Sequence, residues 1–129
     1  MNKVEINKLN SDLDKILEKT KFPINDIVLL HIQLKNIKHI YKLPYEEITK
    51  IIVNSINRKK PKNIIVPSFT HSFTKSKTFD LQNSKSEVGL FSELFRKRYS
   101  KFRTNDPIFS LCHSINCEED YKDINFLLA

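Results

Sequence analysis

The apolar positions first recur at helical spacing. Ser11, followed three positions later by Asp14, has the form of a helix start, and Leu13, Ile16 and Leu17 then mark one face. Pro23 and Asn25-Asp26 end that helix and turn the chain. The period then disappears. Ile27-Val28-Leu29-Leu30-His31-Ile32 is a continuous apolar run of strand length, the pattern of a central strand covered on both faces. The clearest helix opens at Pro44, with Glu46 and Glu47 at the positive end of its dipole. Ile48, Ile51, Ile52, Ser55 and Ile56 share a face, and Arg58-Lys59-Lys60 with Pro61 close it. A second buried strand is expected over Asn63-Ile64-Ile65-Val66-Pro67. Strand, helix and strand at this spacing predict a parallel βαβ unit and an α/β fold.

Beyond Pro67 the chain becomes rich in hydroxyls. Residues 68–76 form a loop at the carboxyl end of a predicted parallel strand, the edge where open α/β sheets bind ligands. A third helix is expected from about Glu87 to Tyr99, with Leu90, Phe91, Leu94 and Phe95 inward. Asn105-Asp106-Pro107 reads as a turn and Ile108-Phe109-Ser110-Leu111-Cys112 as a further strand. The tail from Glu118 is acidic and then apolar, ending in Phe126-Leu127-Leu128-Ala129, a greasy end of the kind a complete domain covers. Without repeats or low-complexity linkers, residues 1–129 predict one domain.

Composition narrows the classes. Hydrophobic residues make up 40% and charged residues 29%, which fits a globular chain and excludes a disordered one. No apolar run approaches the length of a bilayer span, and no apolar leader opens the chain, so the expected setting is cytoplasmic and without a membrane. A net charge of +7 favours anionic partners such as a phosphate-bearing cofactor or nucleic acid. The single glycine argues against both a dinucleotide fingerprint and a P-loop. Cys112 and Cys117 are too few for a disulfide framework or a four-ligand zinc site, so no metal is expected.

His31 stands at a strand end, where binding side chains gather, although a histidine in an apolar run also fits a core. His71 falls in the hydroxyl-rich loop and His39 in a connection. His113 adjoins Cys112, but neighbours on a strand face opposite ways and do not pair as base and nucleophile. Residues 96–103 hold five cations and two aromatics, a pattern that suits single-stranded nucleic acid or, more simply, a solvated helix end. Asp80 and Asp106 each sit beside a turn, where a carboxylate can bind or deprotonate an amine. Residue chemistry alone therefore predicts a ligand-binding α/β domain and no particular reaction.

Val66-Pro67-Ser68-Phe69-Thr70-His71-Ser72-Phe73, then Thr78-Phe79-Asp80, Ser84-Lys85-Ser86-Glu87-Val88-Gly89, Phe95-Arg96 and Arg103-Thr104-Asn105-Asp106-Pro107-Ile108-Phe109-Ser110 occur in one order and spacing. With the segment Leu30-His31-Ile32-Gln33-Leu34-Lys35, this series resembles the aminoglycoside 3-N-acetyltransferase family over roughly residues 9–115. The resemblance implies a partial three-layer α/β/α domain with a mostly parallel sheet. It also implies acetyl transfer from acetyl-CoA to an amine of an aminoglycoside or amino sugar. His31, Gln33, Leu34 and Lys35 would match the loop along the pantetheine arm, and Ser68 and Thr70 the segment near the acyl end. Asp106 and His31 would take the polar catalytic or orienting roles, and Asp80 and Glu87 would serve the acceptor.

Asp106 stands where many resistance enzymes of the family carry histidine, a variant resembling members that acetylate amino sugars. Members of the family are about twice this length, so the chain is expected to be an N-terminal portion of such a domain. A non-catalytic remnant that binds CoA or nothing stays open beside the enzyme, as does a small basic nucleic-acid binder, which ranks last. Oligomeric state is open.

Overall fold

A computed structural model describes residues 2–22 and 25–122. The chain is mixed α/β, with helices and a four-stranded open sheet in which β1 (Ile27–Leu29), β2 (Asn63–Pro67), β4 (Leu111–His113) and β3 (Phe102–Arg103) lie side by side in that order. It divides into two compact units, one of Met1–Val28 with Gln33–Lys62 and the other of Leu29–Ile32 with Asn63–Ala129.

The first unit is mainly helical. Helix α1 spans Lys3–Lys19, starting well before the Ser11 predicted to open it. Helix α2 spans Leu34–Tyr41, a segment expected as a connection. Its apolar residues are too few for an unambiguous period, and it ends on Lys42 in the left-handed region at φ 55°. Helix α3, Tyr45–Asn57, matches its prediction closely, with Pro44 as the N-cap. Ile48, Ile51, Ile52, Val53 and Ile56 bury its inner face, and Leu9 of α1 and Leu34 of α2 are buried with them. Burying one such aliphatic side chain contributes about 1.5–3 kcal/mol. At the rim of this bundle the Tyr41 hydroxyl donates to Asp12 Oδ2 at 2.6 Å, joining α2 to α1.

Strand β1 is short, Ile27–Leu29, and is an edge strand, not the covered central strand its apolar run suggested. Val28 is buried, but Ile27 and Leu29 are 57% and 66% exposed. Strand β2, Asn63–Pro67, lies where expected. Bonds from Lys62 N to Asp26 O and from Leu30 N to Ile65 O show that β1 and β2 run parallel.

The remaining pairings are antiparallel, which corrects the expectation of a mostly parallel sheet. After the short helix α4 (Phe73–Ser76) and helix α5 (Leu90–Arg98), the chain returns through β3 (Phe102–Arg103) and then β4 (Leu111–His113). Strand β4 enters between β2 and β3 and opposes both, with Val66 across from Cys112 and Arg103 across from the same residue. The physical reason is the short connection from β3 to β4, which permits a hairpin and not a parallel crossover.

The two faces of these strands differ, as a period of two requires. Val66, Cys112 and Arg103 share one face, and the buried Phe91, Leu94 and Phe95 of α5, which packs on β2, complete the core. Ile65, His113 and Phe102 share the other. Helix α6, Glu118–Tyr121, closes that face, its Tyr121 ring stacked on Phe102 with centroids 5.7 Å apart. Pro23 and the apolar tail 126–129 lie outside the described residues.

Candidate functional site

The ladder between β2 and β4 continues beyond the regular strands. Ser68 N donates to Ser110 O at 2.9 Å and Thr70 N to Ile108 O at 3.1 Å. Two loops are thereby held side by side at the carboxyl end of β2, and His31 lies, exposed, at the carboxyl end of the neighbouring parallel strand.

Arg103 braces these loops from beneath. It is 6% exposed. Its Nε donates to Ser110 Oγ at 3.0 Å, and its Nη2 to Ser68 O at 2.9 Å and Thr70 Oγ1 at 3.1 Å. Nη1 donates to Leu81 O at 3.4 Å and to Ser84 O. The guanidinium has five N–H donors in a planar fork, and each has a partner here. Phe79 lies under it, 4.9 Å from its ring centroid to Arg103 Cζ. Burial pushes this guanidinium down from its ordinary value, yet a group that starts so high stays charged near neutrality.

The expected site residues take distinct places in this frame. Ser68 and Thr70 are buried, and their hydroxyls are engaged internally: Ser68 Oγ donates to Ser110 O at 3.1 Å and Thr70 Oγ1 to Lys85 O at 2.7 Å. Their side chains therefore set the loop's course, while Phe69 and His71 between and beyond them reach its surface. Asp106 Oδ1 accepts the amides of Ile108 at 3.0 Å and Phe109 at 2.9 Å, so this carboxylate shapes the turn that carries Phe109. Thr70 and Asp106 thus meet through Ile108, which bonds to both.

Glu87 folds back on the same loop. Its amide donates to Phe69 O at 2.8 Å, and its Oε1 accepts the Ser72 amide at 2.7 Å. That Ser72 bond, with a contribution from His71, holds the Glu87 carboxyl below its usual range. Asp80 shapes the turn that offers Leu81 O and Ser84 O to Arg103, accepting the amides of Gln82 at 2.9 Å and Asn83 at 3.2 Å. Its pKa is lowered, first by the Asn83 side chain and then by those amides.

Gln33, Leu34 and Lys35 belong to the helical unit. Leu34 is buried there, Gln33 is the N-cap of α2, and Lys35 lines a groove of about 530 Å³ with Asn36, Lys38, His39 and Lys42.

The basic run 96–103 is divided: Arg96 and Arg103 turn inward, whereas Lys97, Arg98 and Lys101 stay exposed. Arg96 forks onto Glu93 at 2.6 and 2.9 Å, Lys97 lies 4.0 Å from the same carboxylate, and Arg103 is buried. Glu93 is pushed up by burial, but the Arg96 and Ser86 bonds outweigh this and leave it below its ordinary value. Interleaved cations and aromatics suggested one exposed strip, because charge alone does not show which arginines turn inward.

His113 was set aside on sequence grounds, and it does point away from Cys112. It is nonetheless the best-connected histidine in the chain. Asn63 Oδ1 accepts the Ser114 amide at 3.2 Å, turning the Asn63 Nδ2 toward His113 Nδ1 at 2.8 Å. Nδ1 therefore accepts, and Nε2 carries the proton and donates to the Tyr121 hydroxyl at 3.1 Å. Asn63 lies 50 residues before His113 and Tyr121 eight after it, so no single local motif marks the trio.

The fold has a solved counterpart. It is similar to that of the YokD protein from Bacillus subtilis, with a TM-score of 0.66 at 13% identity over 88% of this chain. The chain spans 52% of that protein's length. At this identity the likeness concerns the fold alone. No protein-family model matches the sequence, and no curated protein does. Among the described residues, no helix is long and apolar enough to cross a membrane.

Proposed function

We propose that the chain is the N-terminal portion of an acetyl-CoA-dependent N-acetyltransferase that modifies an amine of an aminoglycoside or amino sugar. The observation that carries the reading is the braced loop pair at the carboxyl end of β2. There the resembling segments 66–73, 84–89 and 103–110 converge on one another through Arg103, Glu87 and the 108–110 backbone. A fold shared with a chain about twice as long is compatible with a portion of a larger three-layer domain.

In this reading the neutral amine approaches the loop edge and loses a proton to a carboxylate as it attacks the thioester carbonyl. The tetrahedral intermediate then collapses with cleavage of the C–S bond, and the departing CoA thiolate takes up that proton to leave as the thiol. Asp106 holds its Oδ1 against two amides, which leaves Oδ2 for that proton. Exposed His31 orients the acyl group, and Ser68 and Thr70 fix the segment beside it. Backbone N–H groups at the strand ends serve the oxyanion. His31 also meets the pantetheine arm, and the positive charge favours the CoA phosphates.

Calorimetric titration with CoA, followed by an acetyl-transfer assay on kanamycin and on nucleotide-linked amino sugars, tests the proposal. Turnover that disappears in Asp106→Ala supports it. CoA binding without turnover favours the non-catalytic remnant, a reading that the half-length match makes specific. The nucleic-acid reading loses ground because Arg96 and Arg103 are engaged internally.

A further inference from the structure

The loop pair displays aromatic rings that the fold does not need. Phe109 is 57% exposed, and His71 is exposed as well. Phe69 is the hub between them, with its centroid 5.3 Å from that of Phe109 and 5.9 Å from that of His71, both T-shaped. An exposed phenyl forgoes the gain of burial, and this one stands on loops tied together by Arg103, Asp106 and the 68–110 backbone bonds. Rigid loops that present an apolar surface are a usual form of binding site.

Two carboxylates are fixed on the loops that carry the rings. Glu87 is tied to Phe69 O and to the Ser72 amide, and Asp106 to the amides of Ile108 and Phe109. Neither carboxylate pairs with a Lys or Arg among the described residues. An apolar ring platform edged by unpaired carboxylates matches a cation carried on a ring with an apolar face. Aromatic faces add their own attraction for an ammonium group.

We propose that Phe109, supported edge-on by Phe69 with His71 beside it, presents a stacking platform that selects acceptors whose amine is borne on a saturated ring, with Glu87 receiving the ammonium group. The proposal rests on the amine-acceptor reading above and names the residues that set its specificity. Acetylation would neutralise the ammonium group and so weaken the product's hold on Glu87. Phe109 and Glu87 are specificity residues here, whereas Arg103 acts only by positioning their loops.

A ¹H–¹⁵N NMR titration of the full chain with glucosamine tests this without requiring turnover. Glucosamine is expected to shift the Thr70, Ser72 and Phe109 amides. N-acetylglucosamine and the acyclic amine serinol should bind about fivefold more weakly. Phe109→Ala should lower glucosamine affinity about fivefold with an unchanged unfolding midpoint. Glu87→Gln should abolish the preference for glucosamine over its N-acetyl form, and Phe109→Tyr should preserve binding. Absence of shifts at the three amides would overturn the platform, as would unchanged affinity in Phe109→Ala or serinol binding as tightly as glucosamine. Glucosamine binding without CoA binding or acetyl transfer would remove the transferase reading and leave the platform. Turnover with serinol that ignores Phe109→Ala would do the reverse.

Discussion

Replacing Arg103 by methionine keeps an apolar stem of similar length and removes the fork. The backbone carbonyls of Leu81 and Ser84 lose their donor, Ser68 O keeps only Ser110 Oγ at 2.8 Å, and the hydroxyls of Thr70 and Ser110 each lose one partner. The two hydroxyls have other partners, since Ser110 Oγ lies 3.0 Å from Ser68 Oγ and Thr70 bonds to Lys85 O. The carbonyls are the larger loss, at about 1 kcal/mol each when left unpaired. Against this, the wild type keeps a guanidinium buried without a carboxylate, and relief of that desolvation returns about 1 kcal/mol. The two orphaned carbonyls win, for a net loss of about 1 kcal/mol, still a measurable share of an ordinary domain's stability. Urea unfolding measures it directly, and hydrogen exchange at the Ser68 and Thr70 amides should accelerate more than exchange in α3. Arg103→Lys should lose nearly as much, because three donors on one nitrogen cannot reach acceptors on three loops. A change below about 0.5 kcal/mol in Arg103→Met, the range of an ordinary surface substitution, would refute the bracing role.

Other predictions concern separate contacts. Burial holds the His113 imidazole below its ordinary value. Its stabilising contribution is thus present above the unfolded value near pH 6.5 and is lost as pH falls through the folded one. Stability measured from pH 7.5 to 4.5 should drop in the wild type, and this component should vanish in His113→Gln. Tyr41 is pushed up to about 12, first by its bond to Asp12. That contribution is complete below the ordinary tyrosine value near pH 10 and is lost as pH rises through about 12; Asp12→Asn should return the Tyr41 NMR titration toward the ordinary value. Asp106→Asn keeps the turn-capping oxygen and should alter the unfolding midpoint little, whereas Asp106→Ala should cost about 1 kcal/mol. Under the proposed chemistry both should reduce acetyl transfer, so comparing the two variants separates the turn from the reaction. Glu93→Gln should weaken the Arg96 fork and lower stability by about 1 kcal/mol in urea unfolding.

The parts of the fold that could be read in advance are those with a strong local period. Helix α3 and strand β2 carry dense aliphatic patterns, and both lie where those patterns put them. Helix α2 was hidden because Lys35, Asn36, Lys38 and His39 dilute its apolar positions. Strand β3 was hidden inside a basic run, where alternation over two residues gives no usable period. Strand β1 misled for another reason: a run of apolar residues marks extended backbone but does not say whether a neighbour covers it.

The site was legible as an edge and not as a set of contacts. The loop after β2 and the Asp106 turn were identifiable from their positions. Arg103 joins residues between 68 and 110, and His113 joins Asn63 to Tyr121. Such pairings depend on the antiparallel return of β4, which no local pattern encodes.

The open side of β1 has a practical consequence for handling the protein. Ile27-Val28-Leu29-Leu30 carries no charge and no proline, the two devices by which edge strands discourage addition of another strand. Its exposed apolar side chains, and an edge with no strand paired to it among the described residues, give a ready template for strand addition between molecules at high concentration. Solubility should therefore be limited by this rail before the helical bundle unfolds. A single Leu29→Lys, at a position already 66% exposed, should raise the concentration at which the chain remains monomeric.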